Sequence, residues 1–237
     1  VSKNDIFWKT ILIIMSKNHK GLKLQDNLDF SKSKKADNLL GVYKSQNEDE
    51  LIGAYKDWAL VYDKDNDDVL GTVSQPNSVQ IFHEYIKDSK LKIIDVGCGT
   101  GLVGLELKNL GFSNFDGIDI SQEMIDIARG RGYNSLFLGN LNKSLPIESN
   151  SYDAALCVGV FTHGHVGPER FSELVRIVKP EGIICFTINE NVYESQGFDI
   201  AIKHLESTNI WEVLDIRKHD YMVKKNVQGI YCVVKVT

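Results

Sequence analysis

The stretch that decides the fold is Asp95-Val96-Gly97-Cys98-Gly99-Thr100-Gly101. An apolar run, Leu91-Lys92-Ile93-Ile94-Asp95-Val96, leads into it, and a helical pattern from Gly101 to Leu110 leads out. The spacing therefore predicts a strand, a tight glycine turn and a helix. Gly97, Gly99 and Gly101 leave room for a ligand against the backbone, and the helix start behind them attracts negative charge. An acid, Asp95, stands just before the turn.

Outward from this turn, strands alternate with helices. Asn114–Ile120, Asn134–Leu138, Tyr152–Gly159 and Ile183–Ile188 read as strands, and Gln122–Arg129, Pro168–Val178 and Asp199–Thr208 as helices. This alternation predicts a doubly wound, mostly parallel α/β sheet covered on both faces. Trp211–Lys218 and Ile230–Val236 have no helix between them, so they predict an antiparallel C-terminal edge that turns near Asn226–Gly229. Asp119 ends the second strand. Ligands of doubly wound sheets sit at such strand ends, and a carboxylate there can accept both hydroxyls of a ribose.

Upstream, Asn47-Glu48-Asp49-Glu50 places acids in a first helical turn, where they suit the helix dipole. Leu51, Tyr55, Trp58, Ala59 and Tyr62 then recur at spacings of three and four along one face. A second helix is expected over Ser78–Asp88, after a turn at Gln75-Pro76-Asn77. Together these predict an N-terminal helical cap. Trp58 is expected in the core. The acidic run Asp63-Lys64-Asp65-Asn66-Asp67-Asp68 lacks the Gly and Glu of a calcium loop and reads as a solvated loop.

The chain has 237 residues, 43% of them apolar and 25% charged, which suits one globular domain. A net charge of −5 excludes a general nucleic-acid binder with a basic surface. No apolar run approaches the roughly 18 residues of a membrane span. Cys98, Cys157, Cys185 and Cys232 never pair as C-x-x-C, so they read as reduced structural thiols of a cytoplasmic protein, and no metal site is expected. Residues 1–46 read as a basic, solvated and mobile segment, and residues 47–237 as the folded domain. Met15-Ser16-Lys17 reads either as the translation start or as part of an N-terminal arm that packs on the domain.

The glycine turn, followed by Gly117-Ile118-Asp119-Ile120-Ser121, resembles class I S-adenosylmethionine-dependent methyltransferases, with their Rossmann-like, seven-stranded sheet. The resemblance covers residues 50–237. Gly139-Asn140-Leu141, Tyr152-Asp153 and Arg176-Ile177-Val178-Lys179-Pro180-Glu181-Gly182 follow in the family's order, with Asn140 where the family usually has Asp. Tyr55-x-x-Trp58-Ala59-x-x-Tyr62-Asp63 and Gly159-Val160-Phe161-Thr162-His163-Gly164-His165-Val166 resemble, more narrowly, the methyltransferase-like protein 27 (Williams–Beuren region) group.

The resemblance implies S-adenosylmethionine as cofactor and methyl transfer to an acceptor, a small molecule before a protein side chain. It places the backbone of Gly97, Cys98, Gly99 and Gly101 at the methionine moiety and Asp95 near its ammonium. Asp119 would hold the ribose, Ile120 one adenine face, and Asn140 and Leu141 its edge. Cys157 and Val158 would flank the sulfonium, and Tyr55 and Tyr62 would cap the cofactor. A weakly acidic acceptor also needs a base. His165 and His163, in the loop after the fourth strand, are the candidates, since histidine titrates near neutrality. The competing reading of both is loop structure alone. Tyr193 reads either as acceptor-pocket wall or as a surface aromatic.

Two other functions compete with the transferase. One is a non-catalytic binding or scaffold module that keeps the fold. The other is a nicotinamide oxidoreductase. Against the latter, the third glycine falls one residue early for G-x-G-x-x-G, Leu102 takes its place, and Asp95 precedes the turn.

Overall fold

A computed structural model describes residues 37–163 and 166–237. The Met15 start and the basic run at 31–35 lie outside the described residues, as does His165.

Four α-helices, with a 3-10 turn and a π turn between them, form the cap among the described residues. Helix α1 (Asp37–Lys44) buries Leu39 and Val42 against the domain, so the end of the basic segment is folded onto it. Helix α2 (Glu48–Trp58) starts at Asn47, whose side chain accepts from Glu50 N while the Glu50 carboxylate accepts from Gln46 N. This reciprocal cap satisfies donors that a helix start otherwise leaves open. A 3-10 turn (Ala59–Val61) leads to α3 (Tyr62–Asp65) and a π turn (Asn66–Leu70) that ends on left-handed Gly71. The acidic run is therefore helical rather than a solvated loop. Two of its carboxylates have partners, Asp63 with Thr100 and Arg131, and Asp65, whose Oδ2 accepts from the Trp58 indole and from Asn38. Asn66 is buried, while Asp67 and Asp68 are exposed. Trp58 is buried, as expected. Helix α4 (Ser74–Tyr85) begins four residues before the expected start. Pro76 lies in its first turn, where no intrahelical N–H is needed, so the proline does not mark a turn outside the helix.

The glycine turn joins β1 (Ile93–Val96) to α5 (Leu102–Asn109). Then come β2 (Phe115–Asp119), α6 (Gln122–Ala128), β3 (Leu136–Leu138) and β4 (Tyr152–Phe161). Helix α7 (Phe171–Ile177) precedes β5 (Val178–Asn189), and α8 (Glu190–Tyr193) and α9 (Phe198–Ser207) precede β6 (Trp211–Met222) and β7 (Val227–Val236). The seven strands lie in the order β3-β2-β1-β4-β5-β7-β6. β3, β2, β1, β4 and β5 run parallel, and β7 is antiparallel to both β5 and β6. This is the expected doubly wound sheet with an antiparallel edge. The hairpin turns earlier than expected, on a 3-10 turn at Val223–Lys225 and left-handed Asn226, so Gly229 lies within β7. Pairing across ten register positions extends β6 through the charged residues Arg217, Lys218 and His219.

The sheet buries one apolar layer on each face. Phe161, Phe171, Phe186, Phe198 and Trp211 fill one, and Phe82, Phe112, Phe115 and Trp58 the other. The strand order reverses between β1 and β4: β2 and β3 are added on one side of β1, β4 and β5 on the other. A crevice at their carboxyl ends is where this topology binds ligands. Among the described residues no helix is long and apolar enough to cross a membrane.

Candidate active site

At that crevice the structure opens a cleft of about 760 Å³, its mouth to solvent included. The floor is the end of β1 and the glycine turn. Gly97 has φ 77°, and a β-carbon there would lie 2.2 Å from Val160 Cγ2. Gly99 has φ 52° with open space beside it. One glycine is forced by its neighbour, and the other leaves backbone uncovered toward the cleft.

Asp119, at the end of β2, is buried and lines the cleft. Its Oδ2 accepts from Gly99 N at 2.7 Å and its Oδ1 from Ser121 N at 2.9 Å. Burial raises its pKa, while the N–H groups of Ser121, Gly99 and Ile120 pull it back down. Each oxygen keeps a lone pair for a further donor. The carboxylate thus ties β2 to the glycine turn and still offers two acceptors to a ligand.

Apolar walls surround it. Ile118, Ile120, Met124, Leu141, Leu145 and Val158 line the cleft together with Tyr55 and Tyr62 from the cap. Burial raises both tyrosines, Tyr62 to about 12, so both stay protonated. Asn140 lines the edge, but its Oδ1 already accepts from Asn142 N at 2.8 Å.

The cap is tied down at both ends. Lys143, after β3, pairs with Glu48 of α2 at 2.7 Å, and this pair together with Asn140 holds the Glu48 carboxyl low. At the other end Thr100 Oγ1 donates to Asp63 Oδ1 at 2.6 Å, and Arg131 pairs with Asp63 Oδ2.

The cleft brings together Gly97, Gly99, Asp119, Ile120, Asn140, Leu141, Val158, Tyr55 and Tyr62 from the sequence expectations. Others stand elsewhere. Asp95 is fully buried beneath the turn; its Oδ2 accepts from Tyr133 Oη, its Oδ1 has no partner, and burial raises it to about 7. Cys98 lies in a smaller recess beside the turn, with Thr100 and Gln75. Gly101 opens α5 at φ 94°, under Tyr133. Cys157 is fully buried in β4, and burial pushes its thiol up. His163 stands in the loop beyond the cleft wall, its ring 5.1 Å from that of Tyr43. Its Nε2 is buried with no partner among the described residues, and burial lowers its pKa. Tyr193 packs half-buried against the core, outside the cleft. Leu51, Gly139, Gly159, Val160 and Val166, from stretches quoted in the sequence but not named as site residues, line the cleft too, and Met124 does so unforeseen. Met124 was within reach of the sequence, because Ser121 caps α6 and Met124 follows in the first turn.

The strand order and the cleft at its switch point are those of the class I methyltransferase fold. Residues 94–186 match the family described as Methyltransferase domain. The chain is 35% identical over 127 residues to human methyltransferase-like protein 27, covering 52% of this chain and 51% of that one. It is 37% identical over 114 residues to a ubiquinone biosynthesis O-methyltransferase of Rickettsia bellii, covering 46% of this chain and 47% of that one. The chain thus spans about half the length of these relatives. A SAM-dependent methyltransferase from Methanosarcina mazei shares the fold at a TM-score of 0.53 and 19% identity, over 66% of this chain and 96% of that one. The residues present suit S-adenosylmethionine: the Gly99 backbone lies open, Asp119 keeps free acceptor positions, and the Asp95 Oδ1 beneath the turn lacks a partner among the described residues.

Proposed function

We propose that this protein transfers the methyl group of S-adenosylmethionine to a small-molecule acceptor in the cytoplasm. The observation that carries this reading is Asp119. Its carboxylate is locked to the glycine turn by Gly99 N and to α6 by Ser121 N, and it faces the cleft. In this reading Asp119 holds the ribose hydroxyls, and Ile120 covers the adenine, with Asn140 and Leu141 at its edge. Gly97, Cys98, Gly99 and Gly101 shape the turn at the methionine moiety, and Asp95 favours its ammonium from beneath. Val158, backed by Cys157, faces the sulfonium, and Tyr55 and Tyr62 close the cap. His163 is the candidate base within the described residues, with His165 beside it in sequence. A small acceptor accords with the narrow cleft and with the O-methyltransferase named among the relatives. A cytoplasmic setting accords with four free, buried cysteines.

Bound S-adenosylmethionine supplies a methyl group that is already electrophilic. The protein therefore aligns the acceptor and excludes water, and such positioning can be worth about 7–11 kcal/mol. A binding module without turnover is the second reading, favoured by one observation: His163 rests on Tyr43 rather than in the cleft wall. The test is calorimetric titration with S-adenosylmethionine, S-adenosylhomocysteine and NADH in parallel. Micromolar binding of both adenosyl ligands without NADH supports the transferase. No binding of either sinks it.

A further inference from the structure

The cleft and the smaller recess beside the glycine turn share four residues: Tyr62, Gly97, Gly99 and Val158. These mark the junction of the two spaces. Two of the four are glycines and one is a valine, so Tyr62 brings the aromatic ring and the polar side chain to the junction. That ring is seated before any ligand arrives. The Trp58 ring meets it at 65°, with centroids 4.7 Å apart. Trp58 is itself buried, and its indole donates to Asp65 Oδ2 at 2.9 Å.

The electrostatics of the junction favour a cation. Burial is the chief reason that the Tyr62 hydroxyl is pushed up to about 12, so the side chain stays neutral and offers its ring face rather than a charge. The carboxylates of Asp119 and Asp63 also bear on it. Asp63 pairs with Arg131, whereas Asp119 accepts backbone N–H groups alone among the described residues. A positive group at the junction therefore gains from the ring and from Asp119 together, and a neutral one gains from neither. In S-adenosylmethionine the positive charge sits on the sulfur, which joins the ribose to the amino-acid chain. With the ribose at Asp119 in the cleft, and the amino-acid end in the recess beside Gln75 and Thr100, the sulfur falls at the junction.

We propose that Tyr62 recognises the positive charge of the cofactor: its ring stands against the sulfonium and shifts binding toward S-adenosylmethionine and away from the neutral thioether S-adenosylhomocysteine. The proposal rests on the transferase reading above and assigns Tyr62 a task beyond closing the cap. Tyr62 is here a specificity-determining residue and not a source of rate. The charge it favours fades as the methyl group leaves, so the contact is no stronger in the transition state than before it. The same loss of charge weakens the hold on the product, which favours its release.

The test uses the full chain. Affinities for S-adenosylmethionine, S-adenosylhomocysteine and sinefungin, which carries an ammonium in place of the sulfonium, are read by calorimetry in the parent, Tyr62→Phe and Tyr62→Leu. Tyr62→Phe keeps a ring and should hold the ratio of S-adenosylmethionine to S-adenosylhomocysteine affinity. Tyr62→Leu should lower that ratio roughly 2- to 30-fold, the range of a cation against an aromatic ring. Sinefungin should weaken alongside S-adenosylmethionine, because it shares the charge and lacks the methyl group. A merely loosened cap would weaken all three ligands alike and leave the ratio unmoved. Pentafluorophenylalanine in place of Tyr62 keeps the ring and withdraws electron density from its face, so it too should lower the ratio. It decides the matter should Tyr62→Leu fail to fold. An unmoved ratio, or a fall in Tyr62→Phe as large as that in Tyr62→Leu, would overturn the proposal. If neither adenosyl ligand binds the parent, the transferase reading itself falls; if both bind and the ratio stays put, the assignment of Tyr62 falls alone.

Discussion

The Tyr133 hydroxyl donates to Asp95 Oδ2 at 2.6 Å and accepts from Gly104 N at 3.1 Å. It thus couples the acid beneath the glycine turn to the first turns of α5. Burial raises Asp95 to about 7, and the Tyr133 hydrogen bond works against that rise by favouring the ionised form. A hydrogen bond to a charged group contributes about 1.5–3 kcal/mol, or about one to two pKa units. Tyr133→Phe should therefore move the ionisation of Asp95 above pH 8. If ionised Asp95 holds the cofactor ammonium, the pH at which S-adenosylhomocysteine affinity reaches half its plateau should rise by the same amount. Titrations between pH 5.5 and 9 check this, and an unshifted midpoint would detach Asp95 from cofactor binding.

The same carboxyl should mark the stability of the protein. Its folded pKa of about 7 lies above the ordinary 3.8. Between those values the native state keeps a proton that the unfolded chain has released. Stability should therefore fall as pH rises through that window and level off above it. Asp95→Asn cannot ionise, so its thermal midpoint should change less between pH 5 and 8 than that of the parent. Parallel slopes would show that Asp95 does not contribute.

Tyr133 also accounts for two glycines outside the turn. A β-carbon at Gly104 would lie 2.5 Å from the Tyr133 ring, and one at Gly117 would lie 2.9 Å from it. Gly104→Ala is expected to cost about 1–3 kcal/mol through overpacking, despite alanine's better helix propensity. In a Tyr133→Leu background the penalty should shrink, because the clashing ring is gone. Urea midpoints of the four proteins close the double-mutant cycle. An additive result would break the link between Gly104 and Tyr133.

What the sequence revealed and what it hid divide along the same line. The glycine turn, β2 ending in Asp119 and the Tyr55–Tyr62 face are local patterns, and they were legible because spacing alone specifies them. The acidic run from Asp63 was not. Its helical state depends on Arg131, 68 residues away, and on Thr100, 37 away. The cleft residues Gly159 and Val160 lie in the irregular pairing of β4 with β5, which no periodicity encodes. The full length of β6 was hidden for a similar reason: exposed charges along it mask strand character that only pairing with β7 supplies.

Asp63 should prove to be the fastening of the cap. It takes the Thr100 hydroxyl and the Arg131 guanidinium at once, joining α3 to the glycine turn. The carboxylate is partly exposed, with a side-chain accessibility of 35%, so screening limits the effect of Asp63→Ala on global stability to about 1 kcal/mol. The local effect should be larger. Freed from the turn, the cap should become protease-sensitive around the exposed Leu60, and S-adenosylhomocysteine should protect it less than in the parent. Equal cleavage rates in the two proteins would mean that apolar packing holds the cap without Asp63.

Asp119 and His163 offer the sharpest separation of cofactor and acceptor roles. Asp119→Ala removes a buried acceptor of two backbone N–H groups as well as the ligand's acceptor. Losing hydrogen bonds to a charged group at about 1.5–3 kcal/mol predicts a roughly 10- to 150-fold weaker S-adenosylhomocysteine affinity. His163→Ala should leave that affinity within about twofold, because His163 is not among the residues that line the cleft. Calorimetry on both variants decides the point, with circular dichroism confirming that each is folded. Comparable losses would mean that the two residues serve one ligand, and the division between a ribose end and an acceptor end would have to be abandoned.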